Sequence, residues 1–176
     1  MLETERLVLR EFTAEDFDAL YEILSDSETM EHYPKPFNEN EVKDWILWNI
    51  ENYEIYGFGL WAVVLKETGK VIGDCGITMQ KIGGGIKPEI GYHINKQYWR
   101  KGYGSEAARI CRDYIFQKTP FRMIYSYMRA SNTASCATAA ANGMHLVDEW
   151  DDGTSMIKVY AITRQEWRLL KKGTNQ

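Results

Sequence analysis

The pattern of apolar and polar positions divides this chain into short strands and amphipathic helices. Residues 7–12 alternate between apolar and polar side chains and predict a first strand. Two β-rich runs within residues 60–80, joined by a turn at residues 67–69, predict a hairpin, and residues 88–95 predict a fourth strand. The same pattern predicts three later strands, at residues 121–128, 146–150 and 156–162.

Helical spacing, together with capping and breaking signals, predicts the other elements. Residues 30–37 carry two prolines and predict a loop, because proline cannot donate to a helix ladder. Thr13 precedes a first helix, and Asn38 or Asn40 caps a second. Three further helices are predicted: one at about residues 105–118, one at residues 132–142 that Gly143 ends, and a short one after Thr163 with Glu166 as its capping-box partner.

The order of these elements predicts an α/β fold with a mixed sheet. It runs strand, two helices, three strands, helix, strand, helix, two strands, which favours antiparallel pairing early and parallel pairing around the central helix. The 176 residues fit one domain, so residues 1–176 are expected to form a single domain.

Charge and composition argue against several classes of partner. The formal net charge of -4 and the pI of about 5.5 provide no field that attracts nucleic acid or an anionic membrane. The N-terminus is charged from its third residue, unlike a signal peptide, and no apolar run approaches the roughly 20 residues that span a bilayer. We therefore expect a cytoplasmic protein with no nucleic-acid or membrane partner.

The cysteines and histidines do not have metal-site spacing. Cys75, Cys111 and Cys136 are odd in number and widely separated, which favours reduced thiols over a disulfide framework. The three histidines, His32, His93 and His145, are also far apart, so no metal site is expected.

The segment at residues 99–106 carries the strongest chemical signal. A strand ends near residue 95, and a loop containing Gly102 and Gly104 leads directly into the central helix. Glycines permit close approach of the backbone to a ligand, and the amides of a first helical turn bind phosphate oxygens. Arg100 and Lys101 add positive charge. The alternative is a tight turn without a ligand. A P-loop and a dinucleotide fingerprint are both excluded, because their further residues are missing.

This segment resembles motif A of the GNAT superfamily of N-acetyltransferases, whose loop reads Q/R-x-x-G-x-G/A. Trp99 stands where the general pattern has Gln or Arg, which is typical of the ribosomal-protein N-terminal acetyltransferase-like branch. Arg100 stands where that branch often has glycine. The downstream pair Asn132 and Ser135, followed by Asn-Gly-Met at residues 142–144, resembles motif B. With both chain ends also similar, the resemblance covers nearly the whole chain.

The resemblance implies about seven strands, four to five helices and a V-shaped split between the fourth and fifth strands. It also implies acetyl-CoA as co-substrate, with its pyrophosphate on the loop and its pantetheine arm added to the fourth strand. A bulge at Gly91–Tyr92 is expected to free the backbone there, although glycine packing against a neighbouring aromatic is an alternative. The implied cofactor-binding residues are Ile90, Gly91, Tyr92, His93, Ile94, Trp99, Arg100, Lys101, Gly102, Tyr103, Gly104, Ser105, Asn132 and Ser135.

The resemblance also implies the catalytic groups. Glu89 is the first candidate for the general base, against the alternative of a solvated charge at a strand end, with Tyr160 and His145 as weaker candidates. The backbone amide near Tyr92 is expected to polarise the thioester carbonyl. Ser135 is the candidate acid for the departing thiolate, or else a structural partner of the helix cap. Cys136 is not expected to form a covalent intermediate.

By analogy with the family, the acceptor amine is expected near the first two helices. The candidate contacts are Tyr33, Phe37, Trp61 and Glu28, with Asp26 as a further acid. A protein N-terminus, an amino acid, a polyamine and an antibiotic all stay open as acceptors, and the protein can be a monomer or a homodimer. A catalytically silent acyl-CoA-binding sensor is the alternative from another class.

Overall fold

An eight-stranded mixed sheet organises the protein in its computed structural model, which describes residues 1–173. The strand order is β1-β2-β3-β4-β5-β6-β8-β7, and every neighbouring pair is antiparallel except β5 and β6, which are parallel. The strands are β1 (Leu2–Glu3), β2 (Leu7–Arg10), β3 (Leu60–Leu65), β4 (Val71–Ile82), β5 (Gly85–Ile94), β6 (Met123–Arg129), β7 (His145–Asp151) and β8 (Met156–Thr163).

Five α-helices within the described residues cover the two faces of this sheet. Asn38 caps the second helix and exchanges hydrogen bonds with Glu41, at 3.0 and 2.8 Å, as the sequence predicted for one of two asparagines. Thr163 and Glu166 form the predicted capping box of the last helix. The helices are α1 (Phe17–Leu24), α2 (Glu39–Tyr56), α3 (Tyr103–Lys118), α4 (Thr133–Ala141) and α5 (Arg164–Gly173).

Successive side chains of β5 point into two different environments. Ile90 and Ile94 enter the core that α3 forms with the central strands. Glu89, Gly91 and His93 face the opposite side, where α1 and α2 pack on the sheet. The strand therefore carries an apolar face towards α3 and a polar face towards α1 and α2.

The predicted element order and the mixed sheet are confirmed, with differences in the bounds of several elements. The sheet has eight strands rather than seven because Leu2–Glu3 pairs with β2. The first predicted strand ends at Arg10 rather than at residue 12, and α3 begins at Tyr103 rather than near residue 105.

The expected bulge at Gly91–Tyr92 is wrong. The register of β4 and β5 runs without a shift from Gly73 opposite Ile94 to Ile82 opposite Gly85. A Cβ atom on Gly91 would lie 3.0 Å from Oε2 of Glu89, so this glycine makes room for a neighbouring carboxylate.

The split itself is confirmed, between the fourth and fifth strands of the prediction, which are β5 and β6. These strands pair through one parallel bridge, between Glu89 and Tyr125. Beyond this bridge they separate towards the carboxyl end of β5, where the loop leading into α3 begins.

Candidate active site

The backbone of β5 presents hydrogen-bonding groups to the split. The N–H of Asn95 donates to the carbonyl oxygen of Ile72 at 2.8 Å. Such bonds fall on alternate residues of an antiparallel pair, so the odd-numbered residues of β5 direct their N–H and C=O groups towards β4. Ile90, Tyr92 and Ile94 consequently direct theirs towards the split.

Side chains donate hydrogen bonds to the carbonyl oxygens of the residues two positions before and two positions after Tyr92. The hydroxyl of Ser126 donates to the carbonyl oxygen of Ile90 at 3.1 Å, and Nε1 of Trp99 donates to that of Ile94 at 2.6 Å. Within residues 1–173, the N–H and C=O of Tyr92 have no backbone partner on the β6 side. One backbone position is therefore open, and an extended ligand can pair with it like an added strand.

The loop before α3 has the backbone geometry of an anion site, and we call it the anion cradle. Arg100 and Gly102 adopt left-handed backbone conformations, with φ of 60° and 81°, and Gly102 is the N-cap of α3. The first-turn amides of α3 have no partner within the helix, and the positive end of the helix dipole lies at the same place. These amides belong to Tyr103, Gly104 and Ser105.

Arg6, just before β2, fixes this loop to the body of the sheet. Its guanidinium forms an ion pair with Glu106 at 2.6 Å and donates to the carbonyl oxygen of Lys101 at 2.9 Å. It also lies 4.4 Å from the ring centroid of Tyr103. The acidic side chain in the first turn of α3 is thereby neutralised and held away from the anion cradle.

The start of α4 approaches the split from the other side. Asn132 caps α4 by accepting the N–H of Ser135 at 3.0 Å. The hydroxyl of Tyr92 donates to the carbonyl oxygen of Ser135 at 3.4 Å. The side chains of Ser135 and Thr138 also lie within hydrogen-bonding reach of the Tyr92 hydroxyl, and Ser135 lines both of the cavities described below.

Two cavities meet at the split. The loop-side cavity, of about 420 Å³, is bounded by the α3 loop and the start of α4. The other cavity, of about 300 Å³, is bounded by Trp45, Thr78, Glu89 and Tyr127 among others. We call it the acceptor-side cavity, because the amine is expected near the first two helices. Six residues line both cavities: His32, Tyr33, Tyr92, His93, Asn132 and Ser135.

Glu89 provides a buried carboxyl group in the acceptor-side cavity. It exposes 8% of its surface, and the Thr78 hydroxyl donates to its Oε2 at 3.2 Å. Burial raises the pKa of Glu89 to about 7, against the lowering effects of Thr78 and of the nearby imidazole of His93. A carboxyl group with this pKa can gain and lose a proton near neutral pH.

A family comparison agrees with this geometry. The family model described as "Acetyltransferase (GNAT) domain" matches residues 6–145. The chain belongs to the GNAT family. YkkB of Bacillus subtilis (strain 168) is 35% identical and is similar over 82% of this chain and 84% of its own length. The "uncharacterized N-acetyltransferase YnaD" of the same organism is 31% identical over 93% of this chain and 97% of its own.

Solved structures share the GNAT fold. A GNAT-family acetyltransferase from Bacillus anthracis has a TM-score of 0.80 at 27% identity, covering 93% of this chain and 98% of that chain. RimL, a ribosomal L7/L12 alpha-N-protein acetyltransferase, has a TM-score of 0.76 at 17% identity, covering 91% and 95%. Aminoglycoside acetyltransferase AAC(6')-Ib has a TM-score of 0.76 at 18% identity, covering 94% and 99%. This GNAT chain is an acetyl-CoA-dependent N-acetyltransferase that acts on amines.

The GNAT structure brings most of the predicted cofactor residues to the two cavities. Lys101 lines neither cavity, and its Nζ lies 5.3 Å from the ring centroid of Tyr98. Those that line at least one cavity are Ile90, Gly91, Tyr92, His93, Ile94, Trp99, Arg100, Gly102, Tyr103, Gly104, Ser105, Asn132 and Ser135.

The predicted acceptor contacts divide into two groups. Tyr33 lines both cavities, and Glu28 lines the loop-side cavity while its carboxylate pairs with Lys96 at 3.1 Å. Phe37 packs against Trp45 and lines neither cavity. Trp61 is also outside both, because its side chain is 5% exposed and packs in the core.

The remaining candidate groups lie elsewhere. Asp26 pairs with Lys96 at 2.7 Å, which places its charge on a surface ion pair. His145 is exposed on β7 near Glu166, and Tyr160 lies beside Cys136. Neither His145 nor Tyr160 lines a cavity.

Sequence reasoning missed Asp74 and Arg6. Asp74 is fully buried in β4 opposite His93, and an acidic residue within an otherwise apolar strand is a signal for a buried polar pair. Arg6 carries no such signal, because its contact with Glu106 joins residues 100 positions apart.

Residues 1–173 contain neither a cluster of metal-binding side chains nor a membrane-spanning helix. No group of three or more His, Cys, Asp and Glu side chains is arranged to hold a metal ion. No helix in this part of the chain is long and apolar enough to cross a bilayer.

Proposed function

We propose that this N-acetyltransferase transfers the acetyl group from acetyl-CoA directly to a primary amine within a ternary complex. The observation that carries the proposal is the open backbone position at Tyr92. It lies where the loop-side cavity, with its anion cradle, meets the acceptor-side cavity, with its buried carboxyl group. A donor held on one side and an amine on the other can therefore react without a covalent enzyme intermediate.

The residues of the site fit the parts of the donor. The first-turn amides of α3 and the side chain of Arg100 suit the pyrophosphate. The N–H and C=O of Tyr92 suit the pantetheine arm, and this N–H can also polarise the thioester carbonyl. Asn132 and Ser135 lie where the arm would end, since both line the two cavities.

Proton transfer is assigned to two side chains. Glu89 takes a proton from the acceptor amine, because its carboxyl group is buried in the acceptor-side cavity with a pKa of about 7. Ser135 donates a proton to the departing thiolate, because it lines both cavities beside the split. General acid–base groups of this kind contribute about 10²–10⁴-fold to rate.

The acceptor is a protein N-terminal amine or a small-molecule amine. The sequence resemblance to the ribosomal-protein branch favours the first. The fold neighbours include an enzyme named for each kind of acceptor, a ribosomal protein and an aminoglycoside. The cavity of about 300 Å³ admits one residue of a chain as well as a small amine.

Steady-state release of CoA with a panel of amines tests the proposal. Glu89→Gln and Ser135→Ala should each lower kcat by about 10²-fold or more while the Kd for CoA changes less than threefold. Glu149→Gln, an exposed change on β7, is the matched control and should have no effect. Binding of acetyl-CoA with no turnover for any amine would instead support the sensor alternative. Wild-type rates in both variants would refute the assigned proton transfers.

A further inference from the structure

His93 and Asp74 form a buried pair on the polar face of the sheet. Asp74 is fully buried in β4, and its Oδ1 accepts both the backbone N–H of His93 at 2.9 Å and the ring Nδ1 at 2.8 Å. Its Oδ2 accepts Nε1 of Trp45 at 3.1 Å. The carboxylate therefore holds His93 by its backbone and by its ring, and is itself held by Trp45 of α2.

This arrangement sets the tautomer of His93. A carboxylate only accepts hydrogen bonds, so Nδ1 carries the ring proton and Nε2 of the neutral imidazole carries the lone pair. Nε2 is buried and makes no hydrogen bond within the described residues. His93 lines both cavities. A buried polar atom without a partner is rare, and a ligand in these cavities would provide one.

Two aromatic rings pack around the imidazole beside the cavities. The ring of Tyr33 lies 4.8 Å from that of His93, and the ring of Trp45 lies 6.0 Å away. Glu89 lies on the same face of β5, and Gly91 between them has no side chain. Both proton-accepting groups therefore share one side of the strand.

The reaction requires two protons to leave the acceptor nitrogen. An ammonium group loses one proton to become a nucleophile, then forms the N–C bond and loses a second as the C–S bond breaks. Ser135 passes its proton to the CoA sulfur and regains one of the two protons taken from the nitrogen, and the other is released to solvent. Glu89 removes one of these protons, so a second proton-accepting group has to be identified.

We propose that His93, oriented by Asp74, is a second catalytic base that accepts a proton from the acceptor nitrogen through Nε2. This inference rests on the proposed transfer to an amine. His93 and Glu89 then contact the nitrogen from positions four residues apart on one face of β5, with Gly91 between them, and Ser135 serves the sulfur on the other side of the split.

The charges that face His93 strengthen it as a base. Burial opposes the charged imidazole, but Asp74 from β4 and Glu89 from β5 favour it, so the pKa of His93 is raised. Tyr33 contributes a neutral ring from the loop before α2, and Trp45 contributes one from α2. The base is competent above this raised pKa, so catalysis should increase with pH.

His93→Asn is the sharpest test, because the Asn amide can still donate to Asp74 while Nε2 is lost. We expect kcat/KM for the amine to fall about 10²-fold or more, with a less than threefold change in the Kd for CoA. The acidic limb of the pH profile should lose one deprotonation step relative to wild type. His145→Asn, at an exposed histidine, should leave both the rate and the profile unchanged.

A second variant and a spectroscopic measurement keep the result interpretable. Asp74→Asn should lower kcat/KM as well, because an amide can donate to Nδ1 and move the ring proton to Nε2. The ring ¹⁵N spectrum should show the Nδ1–H tautomer in wild-type protein. If wild-type enzyme releases CoA with an amine but His93→Asn keeps its rate and every deprotonation step, the inference is overturned. If no amine is acetylated by wild-type enzyme, the proposed function fails first.

Discussion

Glu89 makes the stability of the protein depend on pH. Burial raises its pKa to about 7 in the folded protein, whereas a glutamate in an unfolded chain titrates near about 4.3. The folded state therefore retains a proton that the unfolded state releases. The stability that Glu89 contributes is complete below about pH 4.3 and is lost as the pH rises through about 7.

We predict that Glu89→Gln stabilises the protein at pH 8, because the neutral amide is never ionised within the cavity. The free energy of unfolding should exceed that of wild type by about 3 kcal/mol at pH 8, and the difference should vanish near pH 4. Urea unfolding of both proteins across this range measures the difference. The exposed change Glu149→Gln should show no pH-dependent difference. An equal gain at both pH values would rule out ionisation of the Glu89 carboxyl group as the cause.

At the scale of elements, the loop that enters α3 depends on Gly102. Its φ of 81° is left-handed, and a Cβ atom there would lie 3.4 Å from the Arg6 guanidinium that holds the loop. An alanine in this conformation costs about 1–2 kcal/mol. The loop can avoid that cost only by moving the first-turn amides of α3 away from their present positions.

Gly102→Ala should therefore weaken the binding of CoA. If the backbone strain of the alanine displaces the loop, the Kd for CoA rises about fivefold to thirtyfold. Isothermal titration calorimetry can measure this change. Gly69→Ala is a matched control, since Gly69 has a φ of 70° with open space around it in the turn between β3 and β4. It should lower stability to a similar degree without changing the Kd. An unchanged Kd in Gly102→Ala would remove the loop from the binding site.

The elements were predictable where local chemistry determines them. The caps at Asn38 and Thr163, the proline loop and the glycine-bearing start of α3 all follow from residues close together in the chain. The bulge at Gly91–Tyr92 was predicted wrongly, because a glycine in a strand does not reveal which neighbour needs its space. In this protein that neighbour is the carboxylate of Glu89.

The site was predictable to a lesser extent than the fold. Contacts such as the pair of Asp74 with His93 depend on strand register, which the sequence alone does not fix. Trp61 and Phe37 were expected at the acceptor, but aromatic residues serve a core as readily as a cavity. The main gain from the structure is that His93, which lines both cavities, has a buried ring nitrogen without a hydrogen-bond partner in the described residues.

At the scale of the molecule, the sheet consists of two parts joined weakly. Strands β1 to β5 form one continuous antiparallel part, and β6, β8 and β7 form the other. One parallel bridge, between Glu89 and Tyr125, connects the two parts, with the Ser126 hydroxyl bonded to the Ile90 carbonyl beside it. A ligand that pairs with Tyr92 would therefore bind at the junction between the two parts.

We predict that CoA protects two separate backbone regions from hydrogen exchange. The amide of Tyr92 should be protected by the pantetheine arm, and the amides of residues 103–105 by the pyrophosphate. Where exchange requires release of the ligand, protection should reach about 100-fold at a free concentration 100 times the Kd. Exchange of residues 66–70, in the turn between β3 and β4, should not change.

ADP separates the two contributions, because it carries a pyrophosphate without a pantetheine arm. It should protect residues 103–105 and leave the amide of Tyr92 unaffected, whereas CoA should protect both. If ADP protected Tyr92 as strongly as CoA, a global stabilisation of the sheet would explain the effect. If CoA protected residues 103–105 alone, the arm would lie outside the split. Protection of Tyr92 by CoA alone therefore supports binding of the arm between the two parts of the sheet, where its thioester would lie beside both Glu89 and His93.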